Sequence, residues 1–540
     1  MASVTELPPE IYDAQRLRQR RDVRRIPYTI TVGAAATAVA LIAGWVSVRG
    51  GLATAYPDAV SHASIARRLW DGQNPGFGQL GTVWLPIPHL LLLPFTLLSL
   101  ISEQLWRDGI PAVLLSSLCM GFAAASIYRI LVRWGVRSAW IMVVALGVYV
   151  LNPSTLYVHT TAMTEPVLMA SIAMSAAGLS GFLSSQRPLT GGELAVYAGI
   201  PAAAAVGSRY DGWVFTAGAA VMLVAVAQAR WGHWRYSLRI AAAFCTPPAV
   251  IAIWWIVLNA TQYGDVLAFQ RGPYSAAALQ RQFADLGLLP TQGSLAVSLD
   301  TYSWVIWYVL GPAVIAGMVI GLVLIALRER LTSGTVLVWL LLFPLPYHVL
   351  ALYSGQSVIW HPHTDPPGLF NVRYALPLVL PAALAIGYAM MIATAHARRR
   401  AAVVAALTAV VIGASYVYQV LDPATRAPVI AEAQTQIPKT QVLRDMAAYL
   451  DENASPGDTV MVDETVTAIL GDLGWRFNRV IGQFTDSFDE QLRQPSATWL
   501  IVNRDVSSDR VWQALQTNPR FPSEYAVVFE QGSYVILRRV

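Results

Sequence analysis

The amino-acid sequence predicts an α-helical polytopic membrane protein that carries a soluble α/β domain at its C-terminal end. Of its 540 residues, 55% are hydrophobic and 13% are charged, and the mean hydropathy is +0.48. Apolar runs recur along the chain with lengths near the roughly 20 residues that a helix needs to cross a bilayer. From about residue 421 these runs give way to short stretches of mixed polarity.

The net charge of +5 comes from arginine-rich segments between the apolar runs, and it therefore does not indicate nucleic-acid binding. The N-terminal segment, residues 1–28, is basic and precedes the first run, so we expect it in the cytoplasm. We expect the later arginine clusters on the same side. They are Arg129, Arg133 and Arg137; Arg230, Arg235 and Arg239; Arg328 and Arg330; and Arg398, Arg399 and Arg400.

If all these arginine clusters lie in the cytoplasm, the chain must cross the membrane eleven times and its C-terminus must lie outside. The proline-interrupted segment 84–102 is not counted among them, and we expect it to form a half-inserted hairpin or a surface helix in the first external loop, residues 49–109. Arg67 and Arg68, in the same loop, are the exception to the charge rule. The predicted spans are 29–48, 110–132, 139–152, 163–183, 193–207, 212–229, 240–258, 303–327, 336–353, 375–395 and 402–420.

Residues 421–540 alternate helix-like and strand-like stretches, which predicts an external α/β domain with a mainly parallel sheet. The segment 464–474 has a helix-like pattern, and the last two stretches form a hairpin. Asp463 and Glu464 follow a predicted strand, where α/β domains often place ligand-binding groups. The sequence favours the simpler interpretation, in which Asp463 caps a helix and Glu464 lies in its first turn. Cys119 and Cys245 lie inside apolar runs and indicate packed thiols, not a disulfide framework.

The first external loop holds the sharpest motif. Asp58 follows Pro57 just after the first span and opens an amphipathic stretch in which His62 lies on the same helix face. An Asp at this position also suits a helix N-cap. Its place at the outer membrane boundary favours catalysis, because a carboxylate there can meet a substrate that arrives from the lipid.

These features resemble the GT-C glycosyltransferases, polytopic enzymes that take sugars from polyprenyl-phosphate donors. The resemblance covers most of residues 29–420 and rests on the cytoplasmic N-terminus, Asp58 beyond the first span, the long loop with "WLPIPHLL" and the C-terminal domain. In outline the chain is similar to protein O-mannosyltransferases, aminoarabinose transferases and actinobacterial arabinosyl- and mannosyltransferases. The resemblance implies that Asp58 acts as general base or stabilises the acceptor nucleophile. A single carboxylate suits an inverting transfer, because a phosphate leaving group needs no general acid.

The chain departs from the family pattern at Ala59, where many members have a second acidic residue. This departure puts the metal dependence of some members in doubt, although a divalent metal stays open. Glu165, before Pro166, occupies the position of the family's second acidic motif, and His159 lies nearby in sequence. Glu165 could bind sugar hydroxyls, orient the acceptor or hold a metal together with Asp58; favourable placement at a helix N-terminus is the alternative.

Two further motifs lie at outer span ends. GSRYDGW supplies Arg209, Tyr210, Asp211 and Trp213, which offer a phosphate ligand, a hydroxyl, a carboxylate and a sugar-stacking ring in one turn. FNVRYALP supplies Asn371, Arg373 and Tyr374, and Arg373 suits a clamp on a lipid-linked phosphate. A surface ion pair and an arginine that reaches the lipid headgroups are the respective alternatives.

The loop WHPHTDPP contributes His361 and His363, for which polar contacts to the donor are more plausible than metal binding. The external loop 259–302 contributes Arg271 and is expected to cover the site.

The sequence thus predicts a multi-pass inner-membrane enzyme that transfers a sugar from a polyprenyl-phosphate donor to a glycan, glycolipid or protein hydroxyl. The preference for Arg over Lys favours an actinobacterial cell envelope.

Two other classes of function remain open, a transporter and a non-catalytic scaffold. A secondary transporter is expected to show internal repeats and charged or broken helices near the bilayer midplane. The sequence shows neither, because its ionisable residues lie at span ends.

Overall fold

The computed structural model describes residues 26–185, 190–272, 275–395, 400–421 and 427–540. Residues 1–25 and the arginines at 398 and 399 therefore lie outside the described part of the chain. Within that part, eight helices are long and apolar enough to cross a membrane. They are Pro27–Arg49, Ile110–Arg133, Glu165–Ser184, Asp211–Trp231, Trp234–Tyr263, Gly334–Tyr353, Val372–Ala393 and Ala401–Leu421.

One predicted span is not a continuous helix. Residues 303–327 were expected to cross as one element, but the structure has Leu295–Leu310 and Pro312–Arg328, bent by 103° at Gly311. Gly311 has a φ of 76°, which a glycine adopts without steric cost, and Pro312 cannot donate the backbone hydrogen bond that would continue the first helix. The prediction of an unbroken span was wrong for this local reason.

The carbonyls freed at this break are bonded by side chains of neighbouring helices. The Asn152 amide donates to the Val309 carbonyl over 2.8 Å, and the Gln419 amide donates to the Tyr308 carbonyl over 3.2 Å. Irregular backbone at membrane depth requires such partners, because the lipid offers none. The two freed carbonyls at the break are therefore satisfied by side-chain amides of the protein.

Three apolar helices are shorter than a full span: Ile87–Leu100, Ala139–Val150 and Gly191–Val206. The last two correspond to the predicted spans 139–152 and 193–207. Ile87–Leu100 is the proline-interrupted segment of the first loop, and it packs against Pro57–Asp71 and Ile110–Arg133. Within the described residues the eleven predicted spans thus correspond to eight helices of full length, one broken pair and two helices shorter than a full span.

The two ends of the helix bundle carry different chemistry. Arg133 donates to Ser180 Oγ over 2.7 Å, and Arg230 donates to the carbonyls of Leu183 and Thr332. These contacts gather the arginine-rich helix ends at one end of the bundle. The helices Glu165–Ser184 and Asp211–Trp231 each begin with their acidic residue at the opposite end.

The remaining helices connect the bundle or belong to the C-terminal part. Their bounds are Pro57–Asp71, Glu103–Arg107, Pro153–Val158, Ala268–Arg271, Ala276–Asp285, Pro428–Gln434, Ile437–Asn453, Phe488–Gln491, Arg510–Thr517 and Arg520–Glu524. Short 3₁₀ segments include Phe77–Leu80 and Val372–Leu378.

The C-terminal part contains a five-stranded sheet with the order β2-β1-β3-β5-β4. The strands are β1 (Val460–Val462), β2 (Val480–Ile481), β3 (Trp499–Asn503), β4 (Tyr525–Gln531) and β5 (Tyr534–Arg539). β1 pairs in parallel with β2 and β3, whereas β5 pairs antiparallel with β3 and β4. The α/β architecture and the terminal hairpin are as predicted, but the expectation of a mainly parallel sheet was wrong, because the hairpin adds its strands antiparallel.

The segment 464–474 is not the predicted helix. It forms turns and one 3₁₀ segment, Ile469–Gly471. The Asp463 carboxylate accepts hydrogen bonds from the Thr465 amide and hydroxyl, as a helix N-cap would, but the turn that follows does not continue into a helix. The Leu470 carbonyl then accepts from the Trp106 indole over 3.1 Å. Contact with the first loop thus replaces the helix.

Arg67 and Arg68, the exceptions to the charge rule, join the first loop, residues 49–109, to the C-terminal part of the chain. Arg67 is fully buried; it binds Asp71 over 2.8 Å and Glu103 over 3.0 Å, and it donates to the Trp475 carbonyl. Arg68 forms an ion pair with Glu464. These arginines serve an interface between two parts of the chain, which explains why they depart from the distribution of the other arginines.

Replacing Arg67 by Ala is expected to lower the free energy of unfolding by about 1.5 to 3 kcal/mol, because the buried Asp71 carboxylate loses a charged hydrogen bond while it keeps Arg476, and the partly exposed Glu103 loses its partner. Denaturant titration of the purified protein in detergent measures this loss. The matched control is Arg504→Ala, which removes an ion pair to Glu530 whose side chains are 36% and 49% exposed. The control should cost less than about 1 kcal/mol. Equal losses in both variants would refute the role of Arg67 at the interface.

Candidate active site

The Arg373 guanidinium is the centre of an ionic cluster at the acidic end of the bundle. Each of its nitrogens faces a different carboxylate: Nη2 is 2.9 Å from Asp58 Oδ2, Nε is 3.1 Å from Glu165 Oε1, and Nη1 is 3.3 Å from Glu432 Oε1. Asp58 and Glu165 are therefore brought together although they are distant in sequence. Glu432 completes the set from beyond the last apolar helix.

Local sequence explains why the two predicted acids lie at this point. Pro57 and Pro166 occupy first-turn positions of the helices Pro57–Asp71 and Glu165–Ser184, where proline lacks only a hydrogen bond that the helix would not make. Asp58 and Glu165 lie in the same first turns, where the helix dipole favours a negative charge. The helix-dipole and catalytic interpretations are therefore compatible.

Arg373 is oriented by the residue before the 3₁₀ segment Val372–Leu378. Asn371 has a φ of 59°, in the left-handed region that Asn tolerates better than most residues. Its side-chain amide donates to the Val358 carbonyl over 2.9 Å, and its backbone N–H donates to Glu432. Asn371 thus shapes the backbone that presents Arg373.

Arg209 extends the cluster to a second acidic pair. Its Nη1 is 2.9 Å from Glu165 Oε1, the oxygen that Arg373 also contacts, and its Nε is 3.3 Å from Asp211 Oδ2. The other Asp211 oxygen lies 3.1 Å from Nε2 of His348. Glu165 therefore links the two arginines that the sequence assigned to separate motifs.

The Tyr374 ring packs against the guanidinium groups of both Arg209 and Arg373. The guanidinium carbons of Arg209 and Arg373 lie 5.2 Å and 5.7 Å from its ring centroid, and His348 stacks on the ring at 5.2 Å. Guanidinium groups over an aromatic face are attracted by the negative charge of the ring face. This packing holds the two arginines side by side.

Exposure distinguishes the three carboxylates on Arg373. The Asp58 side chain is 45% exposed, whereas those of Glu165 and Glu432 are 2% and 4% exposed. Only Asp58 among these three can meet a molecule that enters from outside. Burial raises the pKa of Glu432, and Arg373 opposes this shift.

Glu432 and His348 were missed by the sequence analysis. Glu432 lies in the helix Pro428–Gln434, within a stretch that reads as the start of a soluble domain. His348 lies inside a predicted span, and an ionisable residue in a membrane helix is itself a signal for a functional site. That rule would have found His348.

The two predicted histidines His62 and His159 are buried, and their described hydrogen bonds go to residues outside the Arg373 ion pairs. His62 Nδ1 lies 2.9 Å from His89 Nε2, and its ring is 4.3 Å from that of Trp84; burial lowers the pKa of His62 to about 3. His159 bonds through Nδ1 to the Thr155 carbonyl, and burial lowers its pKa to about 4. Both rings are therefore neutral packing groups near pH 7, and neither contacts the Arg373 cluster among the described contacts.

The remaining members of the GSRYDGW motif pack beside the cluster. The Tyr210 ring stacks on Phe269 at 5.9 Å, and the Trp213 indole donates to the Val206 carbonyl over 2.9 Å. These side chains line the neighbourhood of Arg209 without joining its ion pairs.

The loop histidines and Arg271 lie elsewhere. His363 lies against Trp304, with ring centroids 4.3 Å apart, and its backbone N–H donates to His361 Nδ1 over 3.2 Å. His361 is buried beside Tyr308, and Arg271 ends the helix Ala268–Arg271 with its side chain exposed. None of the contacts described for these three residues reaches the Arg373 cluster, and their role toward the donor stays a prediction.

The cluster does not suit a divalent metal shared by Asp58 and Glu165. Among the described residues, no group of three or more His, Cys, Asp or Glu side chains could hold a metal ion. The Arg373 guanidinium contacts both carboxylates, so a fixed cation already lies where a bridging metal would have to bind.

Comparison with known proteins identifies the fold. No protein-family model and no curated protein sequence matches the chain. Among solved structures it is similar to ArnT from Cupriavidus metallidurans bound to undecaprenyl phosphate, with a TM-score of 0.57 and 14% identity over 94% of this chain and 98% of that chain.

Other solved structures are also similar. The apo state of the same ArnT gives a TM-score of 0.55 at 14% identity, over 94% of this chain and 97% of that chain. The oligosaccharyltransferase of Archaeoglobus fulgidus gives 0.46 at 11% identity, over 96% of this chain and 74% of that chain. The two ArnT structures span nearly the whole chain, so the similarity includes both the helix bundle and the C-terminal sheet.

Proposed function

Since the chain has the GT-C fold, we propose that it is a membrane glycosyltransferase that moves a sugar from a polyprenyl-phosphate donor to an acceptor hydroxyl. One observation carries the proposal: a half-exposed carboxylate, Asp58, lies on a buried arginine that is fixed by two other carboxylates. The cluster thus offers a base and a phosphate-binding cation side by side.

The donor phosphate is assigned to Arg373 and Arg209. A guanidinium presents several N–H donors in a planar fork that fits phosphate oxygens, and Glu165 holds the two forks next to each other. The similar ArnT is bound to undecaprenyl phosphate, which supports a lipid-linked phosphate as the ligand class. Asp58, as the most exposed partner of Arg373, is the group that an arriving phosphate would displace.

The proposed reaction needs a single base. Asp58 takes the proton of the acceptor hydroxyl while the oxygen of that hydroxyl forms a bond to the anomeric carbon. The bond between that carbon and the phosphate oxygen breaks on the opposite face of the sugar, which inverts its configuration. The polyprenyl phosphate leaves as an anion stabilised by the arginines, so no general acid is required, unlike in glycosidases with alcohol leaving groups.

The orientation across the membrane is part of the proposal. The arginine-rich end of the bundle is assigned to the cytoplasm and the Arg373 cluster to the external face of the inner membrane, in accord with the positive-inside rule. Residues 421–540 then fold outside. Reporter fusions at Ser333 and after Val540 test this orientation. A reporter that works only in the cytoplasm should be active at Ser333, and a reporter that works only outside the cytoplasm should be active after Val540.

A transfer assay with purified protein in liposomes tests the function. Undecaprenyl-phosphate mannose, arabinose and aminoarabinose are supplied with glycan, lipid and peptide acceptors, because the sugar and the acceptor are open. Release of undecaprenyl phosphate together with a glycosylated product is expected from at least one pair. A protein that neither binds undecaprenyl phosphate nor releases it would instead be a transporter or a non-catalytic scaffold.

A further inference from the structure

Glu432 contacts Arg373 from outside the apolar helix bundle. It lies in the helix Pro428–Gln434, is 3% exposed, and accepts hydrogen bonds on Oε1 from Arg373 Nη1 over 3.3 Å and from the Asn371 N–H over 3.1 Å. Building on the proposed function, we infer that Glu432 is a positioning residue that fixes Arg373 for the donor phosphate. The segment after the last apolar helix would then be part of the donor site.

The other two carboxylates cannot fix Arg373 alone. Glu165 offers its Oε1 to both Arg373 and Arg209, so its hold on either arginine is shared. Asp58 is 45% exposed, and in the proposed reaction it must leave Arg373 to act as base. Glu432 is therefore the partner that stays with Arg373 and its backbone throughout.

The helix that carries Glu432 is itself held to the first external loop. The Tyr56 hydroxyl donates to the Val429 carbonyl over 2.9 Å, and the Tyr56 ring lies 5.4 Å from the Arg373 guanidinium carbon. Val429 and Ala433 are fully buried on the same helix. Tyr56 immediately precedes the helix Pro57–Asp71, which carries Asp58, so Asp58 and the helix that carries Glu432 share one anchor.

Binding of undecaprenyl phosphate to four purified variants tests this assignment. Glu432→Ala removes both hydrogen bonds and should weaken binding about tenfold, within the usual range of coupling between residues in contact. Glu432→Gln keeps an oxygen at the Oε1 position and should stay within about threefold of wild type. Gln434→Ala, at an exposed position of the same helix, is the control and should bind like wild type. Tyr56→Phe releases the helix and should weaken binding several-fold, which keeps the test available if Glu432→Ala does not fold.

A double-mutant cycle separates positioning from general stability. In an Arg373→Gln background, Glu432→Ala and Tyr56→Phe should each change binding by less than about twofold, because the group that they position is gone. Equal effects in both backgrounds would overturn the assignment, as would wild-type binding by Glu432→Ala or a loss in Glu432→Gln that matches the loss in Glu432→Ala. If wild type itself binds no undecaprenyl phosphate, the proposed function fails, and the role of Glu432 fails with it.

Discussion

Replacing Asp58 by Asn is expected to lower the rate of sugar transfer by about 10² to 10⁴-fold, the usual contribution of a positioned general base. The amide keeps the size and polarity of the side chain but cannot take the proton of the acceptor hydroxyl. Donor binding should be unchanged or tighter, because Arg373 loses a carboxylate that competes with the phosphate. Single-turnover transfer and undecaprenyl-phosphate binding measure the two effects separately.

Asp108→Asn is the matched control for this variant. Asp108 lies in the same loop, residues 49–109, and accepts a hydrogen bond from the Gln104 side chain, outside the ion pairs of Arg373 and Arg209. Its replacement should leave the transfer rate within about twofold of wild type, since no reacting group is touched. Transfer by Asp58→Asn at a rate near that of wild type would show that Asp58 only starts a helix.

Replacing Arg373 by Gln is expected to weaken undecaprenyl-phosphate binding by roughly 10- to 100-fold, which corresponds to the loss of a charged hydrogen bond of about 1.5 to 3 kcal/mol. The change also leaves three carboxylates without their shared cation, so the variant should be less stable. Arg373→Lys retains the charge without the planar fork and should give an intermediate affinity.

Arg520→Lys, at an exposed position of the C-terminal part, serves as the control for a general effect of arginine replacement. Binding should be unaffected there. If Arg373→Gln and Arg209→Ala both bind undecaprenyl phosphate like wild type, the phosphate does not lie on these arginines.

Most residues of the Arg373 cluster could be predicted from the sequence, because charged residues at the ends of apolar runs indicate a functional site. Asp58, Glu165, Arg209, Asp211 and Arg373 each lie at the same end of an apolar run, where a charge is costly unless it has a partner. The count of spans then placed them on one side. That they share one network, with Glu165 between the arginines, depends on helix packing that no local pattern encodes.

The residues that sequence reasoning missed depend on contacts between distant segments. Glu432 lies in a short helix beyond the last apolar run, and its partner Arg373 is 59 positions earlier in the chain. Arg67 and Arg68 looked anomalous because their partners Trp475 and Glu464 lie in loops of the C-terminal part. Such pairs are invisible in a pattern of hydropathy and charge.

Two predictions of secondary structure were also wrong. The apolar run 303–327 has the length of a span, yet Gly311 followed by Pro312 was sufficient to break it. The helix-like pattern of 464–474 gives turns instead, and the Leu470 carbonyl accepts a hydrogen bond from the Trp106 indole of the first loop. That contact joins segments far apart in the sequence, so the periodicity of 464–474 does not reveal it.

A density map of the purified protein with bound undecaprenyl phosphate tests the central claim most directly. The account predicts the phosphate at the acidic end of the bundle, with its oxygens within about 3.2 Å of the guanidinium nitrogens of Arg373 and Arg209. It also predicts that Asp58 has moved off Arg373 while Glu432 remains in place. A phosphate bound away from both arginines, with the cluster unchanged, would contradict the account.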